Sequence, residues 1–313
     1  MQHITRDRLM RVFDRRLPPV TRVLPGEKFV VETEDSRSGQ ARTEEAVRPE
    51  ALIELRRRGF FCNPATGPIF VEGAEANDTL AVHIHEQACD SLGYMPCWPW
   101  LFHLEDFLPE PATVFCPIRD GQVIFNDDIR IPARPMIGVL GTAPALEAIS
   151  TASMGRHGGN LDVPEICAGS TVYLPVEVEG ALLGLGDCHA IQSDGELNEV
   201  EMRSVVTLSC DVIKGRSPVM TWPRIETADQ LVTVAVACPL EEALRLALRD
   251  MILWVEELTG LSKRDAYLLI GIAGHARPGQ AQVSLYSMRC LMPKKHLPAL
   301  NCEMRAAVCD GRR

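Results

Sequence analysis

Short apolar runs separated by turn residues fill the chain as far as residue 225. From Leu80 to His85 the run alternates with period two, so Leu80, Val82 and Ile84 share one face of an extended strand. His83 and His85 then lie together on the other face. Such alternation is typical of a strand with one buried face. The pattern therefore predicts a β-rich region in which these histidines belong to a partly hydrated surface.

Two dipeptides of an acidic residue and glycine predict hairpin turns in this region. Asp120-Gly121 separates the runs 113–118 and 123–125, and Glu179-Gly180 separates the runs 171–178 and 181–187. Glycine suits the tight turns that join antiparallel strands, because these turns need positive φ angles. We expect each pair of runs to form neighbouring strands.

After residue 225 the apolar residues follow helical spacing. One predicted helix has Pro239 at its first position and Gly260 just past its end, and Ser262 with Asp265 resembles a capping pair that opens a second helix. The first helix carries a stripe that indicates core packing, formed by Leu240, Ala243, Leu244, Ala247, Leu248, Met251, Ile252, Val255 and Leu258.

These patterns predict a β-rich α+β fold. Residues 1–225 form a multi-stranded, barrel- or sandwich-like core that carries the active site, and residues 226–313 form a C-terminal α+β portion with the helical pair. A doubly wound sheet is not expected, because the regular alternation of strands and helices is missing.

Charge and cysteine usage narrow the function. With 42 acidic against 32 basic residues the formal charge is -10, which disfavours nucleic acid and anionic membranes as partners. No stretch reaches the ~18 apolar residues that span a bilayer. The 11 cysteines include no C-x-x-C pair, so we interpret them as free thiols in a reducing compartment. A cytoplasmic protein is predicted.

The segment from Gly186 to Glu196 is the richest in side chains that can do chemistry. Asp187 and His189 are two residues apart at the end of an apolar strand, a spacing that points both to one side, where they can hold a divalent metal. After the turn at Ser193-Asp194-Gly195, Glu196 can return a further carboxylate to the same space. The alternative is a polar hairpin whose acidic residues are solvated.

A second candidate segment runs from His157 to Asp162. Gly158 and Gly159 can leave backbone N–H groups free to bind developing negative charge, and His157 and Asp162 can add metal ligands. The alternative is a glycine-rich turn with a capped end.

The third candidate, Glu72, closes the apolar run 67–73, where a carboxylate is costly to bury without a partner. The alternative is a solvated strand end. Nucleophilic chemistry is not expected: the chain has no G-x-S-x-G motif, and Cys188 faces away from its neighbours Asp187 and His189 on a regular strand.

These segments, in this order, resemble the acetamidase/formamidase family over nearly the full chain. The matching stretches are Asn63-Pro-Ala-Thr-Gly-Pro-Ile69 with Val71-Glu-Gly-Ala74, Pro135-Met-Ile-Gly138, His157-Gly-Gly-Asn-Leu-Asp162, Ala168-Gly-Ser-Thr171 with Tyr173-Leu-Pro175, and Gly186-Asp187 with His189-Ala190, Gln192 and Asp194-Gly-Glu196. The chain departs from the family pattern at Leu9, Met10 and Phe13 before Asp14, at Ser193 and at His275.

The resemblance implies a β-rich fold, hydrolysis of short linear amides to a carboxylate and ammonia, use of a divalent metal, and homo-oligomers. The family's motif positions fall on Asn160, Asp162, Asp187, His189, Gln192, Asp194 and Glu196.

We therefore expect an amidohydrolase that acts on carbon–nitrogen bonds other than peptide bonds, through a water activated by a divalent metal, with zinc as the expected ion. The metal ligands are Asp187, His189, His157 and Asp162, the catalytic residues are Glu72, Glu196, Asp194 and Asn160, and the substrate-binding residues are Gly158, Gly159 and Gln192. Two alternatives stay open: a non-catalytic homologue that binds a small molecule, and a metal-dependent hydrolase of a urea, carbamate or cyclic amide.

Overall fold

The computed structural model of the protein describes residues 1–57, 63–108, 110–215 and 220–298. Its strands are β1 (Gln2–Ile4), β2 (Leu9–Met10), β3 (Val12–Phe13), β4 (Thr21–Val23), β5 (Phe29–Thr33), β6 (Ala65–Val71), β7 (Thr79–Cys89), β8 (Leu92–Cys97), β9 (Ala112–Arg119), β10 (Gln122–Ile124), β11 (Arg130–Pro132), β12 (Met136–Gly141), β13 (Ile149–Ser150), β14 (Met154–Gly155), β15 (Gly158–Asn160), β16 (Thr171–Pro175), β17 (Leu183–Gln192), β18 (Glu199–Met202), β19 (Ser204–Ile213), β20 (Arg224–Glu226), β21 (Gln230–Ala237), β22 (His275–Pro278) and β23 (Tyr286–Pro293). The helices are α1 (Pro49–Arg57), α2 (Leu240–Thr259) and α3 (Lys263–Ala273), with short 3-10 turns at Glu45–Val47, Leu101–His103 and Lys294–His296.

Most strands belong to two large sheets, which makes the fold β-rich as predicted. A 9-stranded sheet has the order β1-β5-β19-β7-β16-β20-β21-β23-β22, and a 12-stranded sheet has the path β11-β10-β9-β8-β18-β17-β12-β15-β14 with β2, β4 and β6 attached through β17. The remaining pair is β13 with β3. Neither sheet closes into a barrel in the described part of the chain, so of the two predicted core shapes the sandwich-like one applies.

The two sheets share one apolar core. Leu80, Val82 and Ile84 of β7 are buried in it, together with Ile137 of β12 and Leu185 of β17 from the other sheet. The prediction that these three residues of β7 share one buried face is thus confirmed. A face-to-face core of this kind lets polar side chains of the larger sheet gather on its opposite side.

The predicted helical pair is confirmed. Helix α2 begins after Pro239 and ends at Gly260, whose left-handed φ of 74° stops the helix. Ser262 caps α3 by accepting a hydrogen bond from the Asp265 N–H. The apolar stripe of α2 packs against β21 and β23, so the C-terminal strands continue the nine-stranded sheet. The division into a core at residues 1–225 and a portion at 226–313 stays a prediction.

One of the two predicted hairpins is wrong. Asp120-Gly121 does join the antiparallel pair β9 and β10. The strands on either side of Glu179-Gly180 belong to different sheets, since β16 pairs with β7 and β20 whereas β17 pairs with β6, β12 and β18. This turn carries the chain from one sheet of the sandwich to the other.

Candidate functional site

The candidate site is a group of buried polar side chains on strand β17 and its neighbours. Asp187 and His189 of β17 are almost fully buried, and the His189 Nε2 atom lies 3.7 Å from the Asp187 Oδ1 atom. The two side chains therefore share one side of the backbone, as their spacing predicts. Asp187 reaches this position with a left-handed φ of 51°, a strained backbone of the kind that concentrates at functional sites.

Carboxylates from both sides of β17 join the group: β18 pairs with one edge of β17, and β12 separates the other edge from β15. In β18, Glu201 is paired directly with His189, and its Oε1 atom lies 3.7 Å from His189 Nε2. On the other side, Asp162 follows β15 and is fully buried. A Cβ atom at Gly138 would lie 2.5 Å from the Asp162 Oδ1 atom, so the glycine in β12 is what allows this carboxylate to approach β17.

The buried carboxylates form two groups that share His189. Their ligand atoms lie within 4.8 Å of one another in each group, Asp162–His189–Glu196 and Asp187–His189–Glu201. One potential ligand atom of every member lacks a hydrogen-bond partner among the described residues: Asp162 Oδ1, Asp187 Oδ1, His189 Nε2, Glu196 Oε2 and Glu201 Oε2. Buried polar atoms without partners are costly, and their convergence is what a bound cation would explain.

Side-chain amides hold the second oxygen of each aspartate. Asn63 donates to Asp187 Oδ2 at 2.5 Å and to the Asn160 side-chain oxygen at 2.8 Å. Asn160 in turn donates to Asp162 Oδ2 at 2.7 Å, and Gln280 donates to the same oxygen. Each aspartate thus keeps one oxygen free, which is how amides orient the carboxylate ligands of metal sites.

Gln192 orients the His189 ring. Its side-chain nitrogen donates to the Asp162 carbonyl oxygen at 2.7 Å, so its oxygen faces the His189 Nδ1 atom at 2.9 Å and accepts a hydrogen bond from it. A proton on Nδ1 leaves the lone pair on Nε2, the atom that faces the carboxylates. Gln192 therefore acts on the histidine rather than lining the cavity described below.

The pKa values of four of the buried carboxylates are raised, which shows that nearby positive charges of the protein do not balance their negative charges. Burial, followed by the negative charge of Asp187, raises the pKa of Asp162 to about 7. Burial and the charge of Glu196 raise the pKa of Glu199 to about 8. Burial raises the pKa of Glu196 and Glu201 well above the usual range as well, with the charges of Asp162 and Asp187 adding to it.

The same charges act on His189. Burial alone favours the neutral ring, but Glu201 and Asp187 outweigh it and raise the pKa of His189 well above its usual value. The donor set is one imidazole nitrogen with several carboxylate oxygens, which fits a divalent ion such as zinc. A divalent ion would replace the missing positive charge.

A cavity of about 310 Å³ lies beside this group. Glu196, Glu199, Glu201 and Asn160 line its polar side, and Trp98, Trp100, Leu101 and Val283 contribute an apolar wall. A cavity of this volume admits a small molecule next to the two carboxylate groups.

Five of the residues predicted to act in the site lie outside the two groups and their hydrogen-bonding partners. Glu72 lies at the far end of β6 from Asn63, is partly exposed and pairs with Arg22 at 3.0 Å. A seven-residue strand separates Glu72 from the two groups, so its position does not support the predicted catalytic role. Asp194 is half exposed and pairs with Arg277 and Arg289.

His157 and the two glycines are also used differently. The His157 ring packs edge-on against Phe13 at 5.2 Å, and burial lowers its pKa to about 4. Gly158 and Gly159 lie in β15, which is paired on both edges with β12 and β14. A Cβ atom at Gly159 would lie 2.2 Å from the Ser153 carbonyl oxygen, so these glycines allow close backbone packing.

The nucleophilic alternative finds no support at Cys188. Its side chain is buried in the core between the sheets, on the face opposite the site, and burial raises the pKa of the thiol to about 12. A thiol in this setting stays protonated and unreactive.

Glu199 and Glu201 were missed from the sequence. A signal is present in Glu199-Val-Glu201-Met202, because acidic and apolar residues alternate there. A strand with this pattern that returns from the turn at Asp194-Gly195 places both carboxylates on the face of His189.

The comparisons with known proteins agree with this description. The model of the acetamidase/formamidase family matches residues 5–153 and 142–280. The chain belongs to the acetamidase/formamidase family. The crystal structure of an acetamidase from Bacillus halodurans has a TM-score of 0.88 and 35% sequence identity, covering 96% of this chain and 99% of that one. A predicted acetamidase/formamidase from Thermoanaerobacter tengcongensis has a TM-score of 0.87 and 35% identity, covering 94% and 96%.

The curated relatives have lower sequence identity to this chain. The acetamidase of Mycolicibacterium smegmatis is 26% identical over 265 residues, 64% of each protein. The formamidase of Methylophilus methylotrophus is 26% identical over 262 residues, 63% of this chain and 62% of the relative. The chain therefore spans less than two thirds of the length of the curated relatives that it matches. No helix in the described ranges combines the length and apolar character needed to cross a membrane.

Proposed function

We propose that this chain hydrolyses the C–N bond of small linear amides, producing a carboxylate and ammonia, with a divalent ion, zinc, bound beside His189. The observation that carries the proposal is the pair of buried carboxylate groups that share the unpartnered His189 Nε2 atom next to a cavity of small-molecule size. Family membership supports the reaction class, since its relatives include proteins named acetamidase and formamidase.

The residues of the two groups divide the work as follows. His189 Nε2 and the free oxygens of either aspartate–glutamate pair would hold the ion, and Gln192 keeps the proton on Nδ1. The bound ion supplies a Lewis acid that polarises an amide carbonyl and lowers the pKa of water. Asn160 lines the cavity and keeps Asp162 oriented, which supports a positioning role for it. The apolar wall excludes bulk water.

A carboxylate at the cavity would carry the proton. Glu199 lines the cavity and belongs to neither group, so it is free to take a proton from the attacking water. The water oxygen bonds to the carbonyl carbon, the C–N bond breaks, and the departing nitrogen takes the proton from Glu199. Glu196 is the other candidate for this role, although its oxygen is also a potential ligand.

The direct test is metal analysis of the purified protein combined with ammonia release from a panel of short amides. We expect about one zinc ion or more per chain and ammonia release that stops on chelation and returns with zinc. A protein that binds no divalent ion and releases no ammonia from any amide would contradict the proposal. An amide that raises the melting temperature without being consumed would instead favour the binding homologue, and product identification would reveal a urea, carbamate or cyclic amide substrate.

Glu199→Gln is expected to lower kcat for amide hydrolysis by roughly 10²- to 10⁴-fold, because the amide side chain keeps the shape but cannot accept a proton. Zinc content should stay close to that of the unchanged protein. Glu72→Gln is the matched control, and it should change kcat less than about twofold, since Glu72 pairs with Arg22 at the surface. An equal loss in both variants would contradict the role of Glu199.

Gln192→Leu is expected to weaken zinc affinity by roughly 10- to 100-fold, because the leucine cannot accept the hydrogen bond that fixes the His189 tautomer. Competition with a chromogenic chelator measures the affinity. Gln87→Leu is the control: the Gln87 side chain donates to the Met136 carbonyl oxygen, and among the described residues it forms no hydrogen bond with His189. A zinc affinity unchanged in Gln192→Leu would show that the ring does not depend on this contact.

We further propose a cytoplasmic homo-oligomer. The cysteines of the described part of the chain are free, at positions Cys89, Cys97, Cys116, Cys167, Cys188, Cys210, Cys238 and Cys290, which supports a reducing compartment. Light scattering at several protein concentrations tests the oligomer.

A further inference from the structure

Arg37 is a buried cation that the proposed chemistry does not use. It lies in the tight turn that follows β5 and is 3% exposed. The Asp35 carboxylate holds this turn by accepting hydrogen bonds from the backbone N–H groups of Arg37, at 3.1 Å, and Gly39, at 2.9 Å. Arg37 and its neighbour Ser36 line the same cavity as Glu199 and Glu201.

Aromatic rings and one hydroxyl group fix the guanidinium. Its central carbon lies 4.9 Å from the Tyr94 ring centre and 4.8 Å from the Trp98 ring centre. Its Nη1 atom donates to the Thr113 hydroxyl at 3.2 Å. Stacking on aromatic faces leaves the edges of the guanidinium for hydrogen bonds in the plane. The group is therefore held rigidly before any ligand arrives.

One edge of this guanidinium has no partner. The Nε and Nη2 atoms of Arg37 are buried and make no hydrogen bond with any residue that the structure describes. These two nitrogens form the same side of the guanidinium, with parallel N–H bonds spaced to match the two oxygens of a carboxylate. Glu199 and Glu201 line the same cavity, yet among the described residues neither carboxylate accepts a hydrogen bond from Arg37, whose Nη1 atom donates to Thr113 instead. A buried, unpaired donor edge indicates a ligand rather than an internal partner.

The cavity has room for such a ligand. Its volume of about 310 Å³ lies in the range of cavities that bind small molecules. Formamide and acetamide would leave most of that space filled by water. Both nitrogens of the free edge are covered by neighbouring atoms, so a wall side chain must change its rotamer to admit an oxygen, as is common when ligands bind.

We infer that Arg37 is a specificity residue that binds a carboxylate carried by the substrate, so that the preferred substrates are small amides with a second, anionic end. The inference rests on the proposed function for the reaction at the other end of the molecule. There, ⁻OOC–R–CONH₂ and water give ⁻OOC–R–COO⁻ and NH₄⁺: the C–N bond breaks, a C–O bond forms, and ammonia takes up the proton. The Nε and Nη2 edge of Arg37 also suits the carboxylate that hydrolysis produces, and the experiment below separates substrate carboxylate from product carboxylate.

Kinetics of matched amides provide the first test. Succinamate and butyramide have the same chain length and differ by a carboxylate in place of a methyl group. For the zinc-loaded protein we expect kcat/KM for succinamate to exceed that for butyramide by about a hundredfold, because a buried bidentate ion pair is strong. Arg37→Gln should remove most of this ratio through KM, and Arg37→Lys should keep part of it, since lysine retains the charge but not the fork.

Arg245→Gln, an exposed arginine on α2, is the matched control and should keep the full ratio. An unchanged ratio in Arg37→Gln, or a wild-type protein that prefers butyramide, overturns the inference. An equal loss for both amides overturns it too, because Arg37 would then act on the reacting amide or on the fold. Circular dichroism and melting temperature show whether each variant folds. If Arg37→Gln does not fold, the ratio of the two kcat/KM values in Arg37→Lys tests the inference.

Binding of succinate provides a test that needs no hydrolysis. We expect calorimetric titration to show succinate binding to the wild-type protein and to Arg245→Gln, with about a hundredfold weaker binding to Arg37→Gln. Such binding in a protein that cleaves no amide would refute the hydrolase and keep the carboxylate site. If the protein cleaves amides but binds succinate equally well with and without Arg37, the hydrolase stands and the carboxylate site is refuted. If butyrate binds as tightly as succinate and also loses affinity in Arg37→Gln, the free edge of Arg37 binds the carboxylate product. That result would overturn the proposed substrate class.

Discussion

His189→Ala is expected to lower kcat/KM for amide hydrolysis by roughly 10³-fold or more and to remove stoichiometric zinc. Both carboxylate groups share the His189 Nε2 atom, so this single change removes the only nitrogen ligand from each of them. The carboxylate oxygens that remain are less suited to zinc without an imidazole. Without the ion, water keeps its high pKa and the amide carbonyl loses its polarisation. Ammonia release and metal analysis of the same sample measure both effects.

His85→Ala is the matched control for this experiment. His85 lies on β7, where its Nε2 atom contacts the Ser209 hydroxyl at 2.8 Å, and it belongs to neither carboxylate group. We expect its zinc content and kcat/KM to stay within about twofold of the unchanged protein. If His189→Ala retained full zinc and activity while folding normally, the metal site would have to lie elsewhere. If both variants lost activity, the effect would belong to the fold.

The features that were predicted correctly from the sequence are set by residues close together in the chain. The helix α2 was predictable because Pro239 and Gly260 act within one turn of the helix ends. The pair Asp187 and His189 was predictable because a strand alternates its side chains between two faces. Neither inference requires knowledge of which strands are neighbours.

Errors arose where the outcome depends on long-range pairing. Glu179-Gly180 has suitable turn residues, yet the next strand joins the other sheet, which no local rule specifies. Glu72 closes an apolar strand as predicted, but its partner Arg22 is fifty residues away in the chain. Arg37 gave no signal at all, since a buried arginine in a polar loop looks like a solvated one until the surrounding rings are placed.

The site itself combines both situations. The turn after β17 returns the chain so that Glu201 lies opposite His189, and this pairing turns an ordinary acidic alternation into potential ligands. Asp162 and the amide of Asn63 arrive from distant strands. The kinds of residue in the site were therefore predictable. Which individual residues come together depended on the order of strands in the sheet.

Removing the divalent ion is expected to make the protein less stable, and more so at high pH. In the metal-free protein Asp162 has a folded-state pKa of about 7 and Glu199 one of about 8, whereas carboxyl groups of an unfolded chain titrate near 4. Each group then binds more protons when folded than when unfolded between these values, so the free energy of unfolding falls as pH rises through that window. His189, with its raised pKa, contributes in the same direction above its unfolded value near 6.5.

Binding of zinc should have the opposite dependence on pH, because the ion binds deprotonated ligands and its affinity rises as they lose their protons. We therefore expect the difference in melting temperature between zinc-loaded and chelated protein to grow by roughly 5 °C or more from pH 6 to pH 8. Scanning calorimetry at constant ionic strength measures it. Asp162→Asn should reduce this growth, because its amide does not titrate, while other changes in surface charge cancel in the difference. A difference that is constant or shrinks with pH would mean that the buried carboxylates are not the groups that the ion neutralises.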